Sequence, residues 1–196
     1  MKRALLITCL LLSVSCGDLT RQGTASSYLI INSLEGASGA DPDEFSGDFG
    51  SDVITVDRDS GEATIFSDPG RVTFQLGLKD PGPPGSPTTP SSNNFITVDR
   101  YHVRYIRADG RNVPGVDVPY AFDGAFTVTV ADTASANFTL VRWQAKAEAP
   151  LAALATNLLG ISVIAEITFY GHDQTGREVS VTGNIGIHFA NHGDPD

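Results

Sequence analysis

The 196-residue sequence is poor in cysteine, lysine and basic charge. Two cysteines, Cys9 and Cys16, exclude a fold stapled by several disulfides. Lysine occurs only at Lys2, Lys79 and Lys146, and 13 basic residues stand against 23 acidic ones, a formal charge of −10. Nucleic-acid binding needs a basic stripe that displaces counterions, so an acidic chain argues for no nucleic-acid partner. The uncharged stretch 149–165 holds Pro150, Thr156, Asn157 and Gly160 and falls short of the ~20 apolar residues of a spanning helix. A Gly-x-Ser-x-Gly elbow and a phosphate-binding loop are both missing, which removes two common catalytic designs. What the chain does have is 41% hydrophobic residues, 20 glycines and 11 prolines. That composition suits a packed domain with many turns and little long helix.

The first sixteen residues read MKRALLITCLLLSVSC. Lys2 and Arg3 form a positive start. An eleven-residue uncharged run over 4–14 follows, the length of a signal-peptide apolar core. Small residues Ser13 and Ser15 precede Cys16. This segment resembles a bacterial lipoprotein precursor, with Ser13 standing where leucine is usual and Leu12 one place earlier. The resemblance implies cleavage before Cys16, lipidation of its thiol, and a mature chain with 11 basic and 23 acidic residues, a charge of −12. Cys9 leaves with the signal peptide, so Cys16 has no disulfide partner and lipidation gives it a use. Several acyl chains hold a protein to a membrane far more firmly than one. The implied location is the cell envelope. Because Gly17 rather than an acidic residue follows Cys16, the outer membrane is favoured where there are two.

The expected organisation is a signal peptide over 1–15, a lipidated tether over 16–27 and one β-sandwich domain over 28–196. Period-two alternation carries the fold assignment. Over 71–79, Val72, Phe74, Leu76 and Leu78 alternate with polar residues. Over 95–108, Tyr101, Val103 and Tyr105 oppose Arg100, His102 and Arg104. The same pattern marks strands over 125–130, 138–148, 161–171 and 178–189. In the strand over 138–148, Trp143 is expected inward and Lys146 outward. A first strand over 28–36, a hairpin joining 52–56 to 62–66 and a weak edge strand over 116–122 complete the set. The segment 37–51 reads as a loop rich in glycine and acid. Segment 80–94 contains five prolines and reads as an exposed connection. Pro150 and Gly160 bracket one short helix over 151–158. The fold class is all-β: an antiparallel sandwich of about eight or nine strands with one short helix. Its strand spacing resembles immunoglobulin-like domains, without their Cys…Trp…Cys hallmark.

Candidate sites follow from the same pattern. Alternation places Arg100, His102 and Arg104 on one outer face, with Glu166 and Tyr170 expected outward on the strand over 161–171. This row is read either as cross-strand pairing or as a binding face for an anionic ligand or partner. The acidic segment offers Asp41, Asp43, Asp48, Asp57 and Asp59 as calcium candidates, set against the plainer reading of a solvated loop. No cofactor and no catalytic residue is assigned, and the chain is not read as an enzyme. The leading function is a lipid-anchored binding, adhesion or assembly module with an envelope protein or glycan partner. Its alternatives are a calcium-dependent carbohydrate-binding or adhesive domain and an envelope hydrolase using a carboxylate pair.

Overall fold

A computed structural model of the chain describes residues 23–57, 59–157 and 159–192. The segment read as a signal peptide, and Cys16, lie outside the described residues. The described chain is an all-β sandwich. Strand β1 (Ser27–Gly36), β5 (Asp68–Leu78) and β8 (Thr133–Val141) form a three-stranded sheet in the order β1-β5-β8. The second sheet combines β2 (Asp48–Asp52), β6 (Ile96–Ile106), β7 (Phe122–Val130), β9 (Ile161–Asp173) and β10 (Glu178–Ala190). Their order is β2-β10-β9-β6-β7. Two short strands, β3 (Thr55–Val56) and β4 (Ala63–Thr64), pair on their own. A five-residue helix α1 (Trp143–Ala147) and a 3-10 helix (Leu151–Thr156) follow β8. Among the described residues no helix is long and apolar enough to cross a membrane.

The sheets form where the sequence alternates. In β5 the inward set Val72, Phe74 and Leu76 is buried between half-exposed Arg71, Thr73 and Gln75. In β9 the inward set is Val163, Ala165, Ile167 and Phe169. These inner faces meet in an aromatic cluster. The Phe74 and Phe169 rings stand edge to face at 5.1 Å, and Phe138 meets Phe169 at 5.4 Å. Tyr101 touches Phe138 at 5.1 Å. Each such pair contributes ~0.5–1.5 kcal/mol beyond the apolar area it buries.

Four expectations are corrected. The acidic segment 37–51 is not all loop, because β2 lies in it and pairs in parallel with β10, Asp48 opposite Gly186 and Asp52 opposite Ala190. Among the described strands the pairing is therefore antiparallel except at that pair. No edge strand forms over 116–122; only an isolated bridge joins Pro114 to Val118. The helix expected over 151–158 is a 3-10 helix ending at Thr156. The strand expected over 138–148 stops at Val141, and α1 replaces its second half.

That last change inverts two side chains. Trp143 is half exposed, whereas Lys146 is buried, 1% exposed. The Lys146 ammonium donates to Asp68 Oδ1 at 2.6 Å and to the Asp52 carbonyl at 2.7 Å. Asp68 also accepts the Gly39 amide at 2.8 Å and the Ser51 hydroxyl at 2.6 Å. Burial pushes the Asp68 carboxyl up, against the pull of the Lys146 charge. A charged pair enters a core only with such a full set of partners, and here it ties α1 to β2 and β5.

Candidate functional site

The outer face of the five-stranded sheet gathers the polar row. In β6 the inward residues are Ile96 and Val98, then Tyr101, Val103 and Tyr105. The phase changes because Asp99 is an extra residue against β9 between Val98 and Arg100, and the register with β7 also shifts there. One extra residue re-aims the side chains beyond it. From Arg100 onward the even-numbered residues face out.

Cross-strand register sets the partners. Arg104 lies opposite Glu166, and its guanidinium donates to Glu166 Oε1 at 2.7 Å. His102 lies opposite Thr168 on β9 and Asp123 on β7, and its Nδ1 is 2.9 Å from Asp123 Oδ1. Thr168 shares a hydrogen bond with Thr182 on β10 at 2.9 Å. Arg100 lies opposite Tyr170, and its guanidinium sits over that ring at 4.6 Å. The row is thus one of pairs at two of its three basic positions. Exposed pairs of this kind contribute ~0.2–1 kcal/mol each.

Arg100 differs from its neighbours. Among the described residues, Arg71, Arg104, Arg107, Arg111, Lys146 and Arg177 each reach a carboxylate. Arg142 also lies over a ring, that of Phe122, but is half-buried, whereas Arg100 is exposed. Arg100 has only the Tyr170 ring, and Lys79 gives its ammonium to the Gly23 carbonyl at 2.7 Å. Both line one cleft of about 670 Å³, together with Tyr28, Tyr170, His172 and Glu178. The bulge residue Asp99 lines it as well and lies 3.3 Å from His172 Nδ1.

Local backbone shapes this cleft. Tyr28 on β1 stands opposite Gly77 on β5. A Cβ on Gly77 would come within 2.5 Å of the tyrosine ring, so only glycine lets the ring lie flat across the strand. Tyr28 is 43% exposed in that position. Beside the cleft, Asp173 fixes the turn between β9 and β10. Its Oδ1 accepts the Thr175 amide and hydroxyl and the Arg177 amide, at 2.8, 2.6 and 3.0 Å. Burial acts to raise this carboxyl, but those bonds and the Arg177 charge hold it below its ordinary value.

Of the residues singled out from the sequence, Arg100 and Tyr170 line the cleft. His102, Arg104 and Glu166 continue the row beyond it. The acidic candidates do not converge: among the described residues no three histidine, cysteine or acidic side chains form a group able to hold a metal. Asp57 serves its own turn, where bonds from the Ser60 amide and hydroxyl and the Asp59 amide lower its carboxyl. Asp41 likewise gives its amide and carbonyl to a local turn with Ser38 and Glu44. Sequence reasoning missed Tyr28, Lys79 and Glu178. They sit at strand ends in three different strands or their margins, and only the packing of β1 against the β6-β9-β10 face brings them together. No protein-family model matches the chain, and no curated protein is similar to it.

Proposed function

We propose that the protein is a binding module of the cell envelope, held to a membrane by a lipid on Cys16, with the outer membrane as its place in a cell that has two. In this reading the outer face of β6 and β9 is the binding surface and the chain performs no catalysis. One observation carries it: Arg100, in a protein dominated by negative charge, has no carboxylate partner among the described residues and is instead held over Tyr170 at the wall of a cleft. A guanidinium left unpaired but pre-oriented by an aromatic ring is ready for an anionic group. The arginines that merely stabilise this sheet or its turns, Arg104 and Arg111, are paired.

Two measurements test the proposal. Cys16→Ala should move the protein from the membrane fraction to the soluble fraction, and the native N-terminal peptide should carry acyl mass. A membrane-bound Cys16→Ala variant together with an unacylated native chain would overturn the anchor. For the surface, cross-linking and recovery from envelope membranes should yield a partner with the native protein and with Arg111→Gln, and lose it with Arg100→Gln. Equal recovery with all three would remove the binding face.

A further inference from the structure

The cleft beside Arg100 holds more than one kind of chemistry, and the combination narrows its ligand. Its volume, about 670 Å³, falls within the range of small-molecule sites. Arg100 and Lys79 supply two cations without carboxylate partners among the described residues. Tyr28 lies over Gly77, is 43% exposed and lines the cleft. Asp99 and Glu178 add carboxylates that accept hydrogen bonds. We infer that this cleft takes an acidic saccharide, a sugar unit bearing a carboxylate or a phosphate.

Each part of that ligand has a counterpart in the cleft. The anionic group meets the Arg100 guanidinium and the Lys79 ammonium through charge-assisted hydrogen bonds. The apolar C–H face of a sugar ring packs on Tyr28, an amphipathic ring that loses little entropy on contact. The hydroxyls donate to Asp99 and Glu178. Those two carboxylates, with the acidic whole, oppose the alternative of an anionic bilayer surface, which would meet repulsion over most of the molecule. A ligand with both one negative group and many hydroxyls satisfies both sets. The inference rests on the binding-module reading and supplies its ligand class.

Full-length protein in detergent is titrated calorimetrically with glucuronate, with glucose 1-phosphate, with glucose as neutral control, and with phosphatidylglycerol vesicles. At least one of the two acidic sugars should bind, and the neutral one should bind at least ~10-fold more weakly. Arg100→Gln and Lys79→Gln should each weaken the acidic sugar ~10-fold, the worth of one charge-assisted bond. Tyr28→Ala should weaken it too, while Arg111→Gln leaves it unchanged. Unfolding midpoints close to that of the native protein show that the variants are folded. Binding of neither acidic sugar, equal binding of the neutral one, insensitivity to Arg100→Gln, or binding to vesicles alone would overturn the inference. An unacylated Cys16 leaves this titration untouched. Conversely, failure here with Arg100-dependent partner recovery intact removes the saccharide and keeps the module.

Discussion

Asp173 organises the turn between β9 and β10, two of whose neighbours, His172 and Gly176, line the cleft. One carboxylate oxygen gathers three donors from Thr175 and Arg177, and the other lies 3.8 Å from the Arg177 guanidinium. Asp173→Ala removes the shared acceptor of the Thr175 amide and hydroxyl and the Arg177 amide. The expected cost is about 2 kcal/mol, read as a shift in the urea midpoint. Asp173→Asn keeps an oxygen acceptor and should cost less. The folded-state pKa lies below the ordinary value, so the sign is fixed. The contribution is fully present above the unfolded pKa of ~4 and is lost as pH falls through the lower folded value. Native protein should therefore lose stability on acidification below about pH 4, and Asp173→Asn should lose less over the same interval. An identical acid limb in the two proteins would show that this carboxylate does not contribute in that way.

At the scale of elements, the buried Lys146–Asp68 pair joins α1 to the sheets. Removing one member strands the other charge in the core, so Lys146→Ala should cost about 3–5 kcal/mol. Replacing both, Lys146→Met with Asp68→Leu, should lie closer to the native stability. Urea denaturation of the single and double variants checks both. A double variant as damaged as the single one would show that the Ser51 and Gly39 bonds to Asp68 matter more than the charge. Alternation could not reveal this pair. Trp143, Ala145 and Ala147 mimic an inward strand face, while a lysine defaults to the surface until a distant aspartate is placed beside it. Strand β2 was hidden for a related reason: DFGSD has acid at both ends and one large apolar side chain, Phe49, and its partner is 138 residues away. By contrast β5, β6, β9 and β10 were legible, since long alternating strands need no knowledge of their neighbours. Segment 80–94 connects β5 to β6 with nearly every side chain exposed. Limited proteolysis should cut there first, and first cleavage within β6 or β9 would contradict that.

For the molecule as a whole, the sequence contained the fold class but not the cleft. Arg100 and Tyr170 could be placed on an outer face from their own strands. Tyr28 and Lys79 could not be added, because Tyr28 belongs to the edge strand of the other sheet and Lys79 lies just past the end of that sheet's central strand. The strand order also bears on how the chain reaches its native state. Only β3 with β4, β6 with β7, and β9 with β10 are sequence neighbours that pair. The other pairings join distant segments, and loop closure makes such contacts slow to form. Strand β10, the last described strand, lies inside its sheet with β2 on one side and β9 on the other. A growing chain that ends before Glu178 therefore lacks the strand that joins Asp48–Asp52 to the rest. Folding is in this way gated by one strand: the five-stranded sheet is complete only once Glu178–Ala190 is available to lie between Asp48–Asp52 and Ile161–Asp173.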